Sequence, residues 1–307
     1  MSNLYLVWGR FSSNMEQTKE IKALFTLIDD PDEEIYSSIS EKIVAYGKGI
    51  IPNLEHLWET TLSEDVQQRI EGIIQRLQFT DLLQDFTCWK NTTPHDLLSG
   101  ALLLGKLEYP DMSSTVALQD LEKMRRNIWL ELNSFLTPLE QANVLTSILY
   151  KYYKLFGNEV DYKNPDDFFV HKVLETKTGN AMSNGIIYQT LCEQLDIHAK
   201  LINIPKQCIL AFYHSDYEEA HFIGNPQDKI HFYIDATNGN AFSHADIDSY
   251  FERINTVPKP FHFKAQEAPN TLAILLSELS KCYSRNSKAH KQTEIAQLLI
   301  ELLSSKS

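Results

Sequence analysis

Up to Leu195 the apolar residues of this 307-residue chain recur three and four positions apart, and between Lys200 and Asp235 the spacing tightens toward two. That switch constrains the fold more than any other feature. A 3.6-residue period buries one stripe of a helix, whereas a period of two buries one face of a strand. Lys200–Ile204 and Cys208–Tyr213 read as extended chain around Pro205, and Ile230–Asp235 reads as another strand, closed by the turn sequence Thr237-Asn238-Gly239-Asn240. The helix over Asn184–Leu195 comes directly before them. A buried helix followed by antiparallel strands predicts a helix-rich α+β domain with a small antiparallel sheet.

Upstream the pattern is helical throughout. Ile21, Leu24, Phe25, Leu27 and Ile28 form one stripe, Asp29-Asp30-Pro31-Asp32 breaks it, and Ile35, Ile39, Ile43 and Val44 begin a second. Gly47-Lys48-Gly49 ends that helix, and Ile50, Ile51, Leu54, Leu57 and Trp58 form a third. Helix, Asp-Pro turn, helix, glycine break and Ile-Pro helix resemble a HEAT-type repeat, with Asp65–Trp89 as a second unit; an ordinary helical bundle satisfies the same pattern. Further on, Thr137-Pro138-Leu139-Glu140 carries a hydroxyl at the N-cap, proline at the first helical position and Glu at N3. After Pro258-Lys259-Pro260, read as a boundary, Leu272–Tyr283 and Thr293–Leu303 predict two closing helices. The expected division is a leader over 1–14, with Met15 as an alternative start, a HEAT-like helical region over 15–90, an α+β domain over 95–255 and a C-terminal helical pair over 265–307.

Charge and cysteine usage exclude several classes. Against 28 Lys and Arg stand 41 Asp and Glu, a formal charge of -13 that repels phosphate backbones and anionic headgroups, so nucleic acid and membrane surfaces are poor partners. No apolar run approaches the roughly 20 residues of a membrane span. Cys88, Cys192, Cys208 and Cys282 are scattered without a CxxC pair, which suits reduced thiols in a cytoplasm and predicts neither a disulfide framework nor a metal site. No cofactor is expected.

An ordered set of short motifs carries a family resemblance. Thr176-Lys177-Thr178-Gly179-Asn180, Ser183 through Tyr188, Ile202-Asn203-Ile204-Pro205 and Phe232-Tyr233-Ile234-Asp235 follow one another, preceded by Asp96–Leu103 and Leu107-Glu108-Tyr109-Pro110-Asp111. Together they resemble the transglutaminase-like family of the SirB-one regulator over roughly His95–Phe251. The resemblance implies a papain-like arrangement: a Cys nucleophile at the start of the buried helix, a His base on the next strand, and an Asp on the following strand orienting that His. A helix N-terminus and an adjacent imidazole lower the thiol pKa, and the carboxylate fixes the tautomer.

Position by position, two of those three roles are vacant. The nucleophile position carries Ala181, and the SirB-one pattern itself has no Cys there. The base position, two residues past Pro205, carries Gln207, which cannot exchange a proton near neutral pH. Asp235 alone is retained. The resemblance therefore implies a non-catalytic, regulatory module that holds a protein, a peptide or a small ligand in a cleft around Ser183, Gln207, His231, Tyr233 and Asp235. The last three alternate onto one strand face.

A divergent cysteine or serine hydrolase or acyl transferase is the competing expectation. It would use Cys208 or Ser183 with one of the strand-region histidines, His214, His221, His231 or His244. Strand alternation turns Cys208 away from a cleft that Gln207 faces, and Ser183 suits a helix-start hydroxyl bound to free N–H groups. No two histidines stand in HxH or HxxxH spacing, so no metal is expected.

Overall fold

The computed structural model describes residues 20–21, 23–218, 222–284 and 288–304. The expected leader, the choice between Met1 and Met15, and His221 lie outside the described residues. The chain divides into two compact units, Met1–Asp85 and Phe86–Ser307. Residues 265–307, expected as a separate pair of helices, fall within the second.

In the first unit, α1 (Glu33–Ala45) starts where the Asp32 carboxylate accepts the Glu34 N–H, with Glu33 and Glu34 beside the positive helix end. Gly47, at φ 73°, turns the chain into α2 (Ile51–Thr60), whose first turn holds Pro52. The long α3 (Glu64–Asn91) follows. Its inward stripe, Val66, Ile70, Ile73 and Leu77, closes over Ile28, Ile43 and Leu54. The Arg69 guanidinium donates to the Ile28 and Asp30 carbonyls and satisfies the end of the preceding turn.

The second unit begins with α4 (Leu97–Gly105), capped by Asp96, and α5 (Ser114–Glu131), capped by Ser113. Then comes α6 (Pro138–Thr146), which opens with the reciprocal Thr137 and Glu140 box and continues as a π-helical turn over Ser147–Tyr152. Two short parallel strands, β1 (Phe156–Gly157) and β2 (Thr178–Gly179), flank α7 (Val170–Thr176). After β2 the chain enters α8 (Ala181–Glu193), buried at every residue from Met182 to Cys192. A helix buried all round needs no polar face, which explains its weak amphipathic pattern.

The main sheet is antiparallel with strands in sequence order: β3 (Ala199–Ile204), β4 (Gln207–Tyr213), β5 (Ile230–Ile234) and β6 (Ala241–Phe242). Its two faces have different covers. Leu201, Leu210 and Phe212 face α8, where a Cβ on Gly185 would meet Leu201 and Tyr188 stands edge-on to Phe212 at 6.2 Å. Ile202, Ile204, Ile209, Ala211 and Tyr233 face the opposite way, onto Ile247 and Phe251 of α9 (His244–Arg253) and onto Phe263. Gln189, buried in α8, accepts the Leu201 N–H at 2.7 Å and so ties helix to sheet. Past the Pro258-Lys259-Pro260 notch the chain folds back along β3, with Gln266 N–H donating to the Leu201 carbonyl, before α10 (Ala268–Tyr283) and α11 (Ala289–Leu303) pair. No helix among the described residues is long and apolar enough to cross a membrane.

Candidate functional site

The first turn of α8 is organised by Asn180. Its side-chain oxygen accepts the Met182 and Ser183 N–H groups at 2.9 and 3.0 Å, and its amide donates to the Asp167 carbonyl. Ser183 completes the box: its hydroxyl oxygen accepts the Asn180 N–H at 3.0 Å and its proton goes to the Asp167 carbonyl at 2.7 Å. Fully buried and used at both ends, Ser183 is a capping residue and does not line a cleft, which corrects the expectation that it would. Ala181, half-buried at the first helical position, does face open space.

Pro205 and Lys206 connect β3 to β4 in a two-residue turn, with Lys206 at φ 67°. A positive φ on a residue with a Cβ is strained. The Tyr250 hydroxyl holds the turn by donating to the Pro205 carbonyl at 2.6 Å. Gln207, exposed, opens β4. Cys208 follows, on the same face as Leu210 and Phe212. Alternation thus points it to the side of α8, yet it lines the same cleft as Gln207, as do all the residues of the hairpin tip from Asn203 to Ile209. Half-buried by area, the Cys208 thiol lies deep enough in protein that burial pushes its pKa up to about 12, and no charged neighbour offsets this. Buried Cys192 and Cys282 are raised as well, by burial first.

Asp235, at the end of β5, binds its own turn: Thr237 N–H and Thr237 hydroxyl to one oxygen, the Asn238 amide to the other. That turn is pinned to β1, where Gly157 N–H donates to the Thr237 carbonyl at 2.8 Å; a Cβ at Gly157 would stand 2.5 Å from the Thr237 Cα.

Ala181, Gln207, Cys208 and Asp235 therefore open onto one cleft of about 1070 Å³, wholly within the second unit. Val160, Tyr162, Phe261 and Ile274 supply its apolar wall, and the Glu278–Lys281 ion pair, 2.7 Å apart and joined by the Tyr162 hydroxyl, supplies its charged rim. A smaller hollow of about 380 Å³ shares Gln207 and Asp235 and adds Asp246, Tyr250 and Arg253.

Two further expected lining residues lie elsewhere. Tyr233 is fully buried in the core opposite α8. His231 is exposed and stacked on His214, ring centres 3.8 Å apart. His244 donates from Nε2 to the Ile230 carbonyl at 2.9 Å and accepts the Tyr233 hydroxyl at Nδ1, so it is occupied in packing β5. The histidine at the cleft is His262, which sequence patterning missed because the segment after Pro258 reads as a boundary. Its Nδ1 accepts the Lys259 N–H at 3.1 Å, and burial followed by the Lys259 charge lowers its pKa. With Nδ1 accepting that N–H, the neutral ring carries its proton on Nε2, where it is a hydrogen-bond donor. Among the described residues no group of His, Cys, Asp and Glu could hold a metal ion.

Comparison with known proteins agrees with the buried helix and sheet. A family model described as the transglutaminase-like superfamily matches residues 115–277, more than half of the chain. The chain belongs to the transglutaminase-like superfamily. F-box only protein 21 of Mus musculus is 34% identical over 73 residues, 23% of this chain and 12% of that protein. The Homo sapiens protein of the same name is 33% identical over a segment of the same length and the same shares. The chain thus matches only about an eighth of the length of these curated relatives. No solved structure matches it.

Proposed function

We propose that this transglutaminase-like chain is a non-catalytic, SirB-type regulatory module that holds a protein or peptide segment in the cleft at Ala181, Gln207 and Asp235. One observation carries the reading. The three positions where the resemblance puts nucleophile, base and orienting acid open onto one cleft, and they hold a methyl group, an amide and a carboxylate occupied by its own turn. Cysteine catalysis needs a thiolate, and the cleft's one cysteine carries a thiol driven the other way by burial. The space itself persists and is lined by both apolar and polar groups, the mixture that a binding site needs. In this reading the helical unit before Asp85 is HEAT-like and offers a second protein surface, the protein works in the cytoplasm, and neither nucleic acid nor a membrane is a partner. The short likeness to F-box only protein 21 brings no partner with it.

The divergent hydrolase remains the second reading because Cys208 and His262 line the same cleft. Thiol labelling separates the two. Under the binding reading, Cys208 reacts with iodoacetamide more slowly than a free peptide thiol at neutral pH. Fast labelling that persists as the pH falls supports the hydrolase instead.

A further inference from the structure

Hydrogen-bond alternation along β3 turns a pair of backbone groups away from β4 at a residue that lines this cleft. Leu201 directs its N–H to Gln189 and its carbonyl to Gln266, so both of its groups point away from β4. In an antiparallel ladder successive residue pairs alternate between bonded and unbonded. The Leu201 and Leu210 pair is therefore unbonded, Ile202 and Ile209 are bonded, and Asn203 and Cys208 are again unbonded. The two-residue turn at Pro205 agrees, since the Ile204 and Gln207 pair that closes it falls in a bonded place. Asn203 thus turns its N–H and its carbonyl outward, as Leu201 does. The returning chain covers the edge at Leu201 through Gln266, whereas Asn203 is exposed and lines the cleft.

We infer that the cleft takes its ligand as an extended peptide added to the edge of β3, one ligand residue exchanging two backbone hydrogen bonds with Asn203. This deepens the binding reading above and rests on it. An extended segment presents one N–H and one carbonyl on the same side of the same residue, the complement of what Asn203 offers. The same cleft supplies an apolar wall: Phe261 is 59% exposed and Val160 44%, and Ile274 lines the same space. The ligand is therefore a peptide with an apolar side chain next to the residue that pairs with Asn203. Lys206, in its strained turn at the hairpin tip, marks where the edge ends.

The test selects ligands from a phage-displayed library of random short peptides on the full chain, then measures one synthetic selected peptide against variants. Asn203→Pro deletes the outward N–H without touching a ladder bond, a place where an edge strand tolerates proline. Asn203→Ala keeps the backbone donor, and Ala181→Trp projects an indole into the cleft at the first turn of α8. Ala181→Trp should abolish binding, Asn203→Ala should change it by less than about threefold, and Asn203→Pro should weaken it at least about tenfold. N-methylation of one amide in the peptide should produce a like loss against the unaltered chain, and this measurement stands even if Asn203→Pro fails to fold. Binding that Ala181→Trp removes but that neither Asn203→Pro nor any N-methyl group weakens would overturn edge pairing and keep the cleft. If no selected peptide is sensitive to Ala181→Trp, both are overturned.

Discussion

Asp235 and Thr237 are joined twice through a single carboxylate oxygen, which accepts the Thr237 N–H at 2.8 Å and its hydroxyl at 2.7 Å. The Asp235 carboxylate thus works within its own turn. With Asn238 on the second oxygen, Asp235→Ala should destabilise the second unit by about 1–3 kcal/mol in urea unfolding. Thr237→Val should cost about 1 kcal/mol, and the double variant less than the sum, because both changes break the same bond.

Glycine substitutions should separate close approach from open helix surface. Gly157→Ala drives a Cβ toward the Thr237 Cα at 2.5 Å, backbone that cannot swing aside, and should cost about 1–3 kcal/mol while displacing the Asp235 turn. Gly72, inside α3 with nothing within 4 Å of its would-be Cβ, is the contrast: Gly72→Ala should stabilise by about 0.5–1 kcal/mol. Urea denaturation of each variant checks the pair.

His171 predicts a pH dependence. Neither of its ring nitrogens has a partner among the described residues, and burial, then the Lys172 charge, lowers its pKa below 6.5. As pH falls below that ordinary value, the unfolded chain binds a proton that the folded one resists, so stability present above about pH 6.5 is lost toward the folded-state pKa. Buried His262 and the stacked His231 are lowered too and add to the same slope. His171→Phe should raise stability at about pH 7 by about 1–2 kcal/mol and flatten the decline toward about pH 5, measured as melting temperature against pH.

Thiol reactivity should follow position. In the unaltered chain exposed Cys88 should label first, and Cys208 far more slowly. Ala181→Cys puts a thiol at the first position of a helix, where the positive end favours thiolate, and should label at least about tenfold faster than Cys208. Mass spectrometry after limited alkylation gives the order.

Much of the fold was legible because it rests on local rules. The Thr137–Glu140 box, the helix leading into the sheet and the strand Ile230–Ile234 all announce themselves by spacing. The site was less legible because its membership depends on which way strands face. Alternation predicts one sheet face for His231, Tyr233 and Asp235, but Tyr213 pairs with Ile230 and Phe212 with Phe232, so an irregularity leaves His231 unpaired and breaks the alternation there; Tyr233 is under α9, and Asp235, just past the end of β5, reaches the cleft. Ser183 looks like a spare nucleophile until Asp167, sixteen residues earlier, claims its proton. His262 and Gln266 enter through a fold-back after two prolines, a tertiary event with no local signature.

The most direct test of a cleft that binds without turnover is to incubate the chain with a pool of short random peptides and record the masses of peptides and protein. Peptides should be retained by the unaltered chain and not by Ala181→Trp, with every recovered mass unchanged and no mass added to the protein. Cleaved peptides, or an acyl adduct on Cys208, that disappear in Cys208→Ala would contradict binding without turnover.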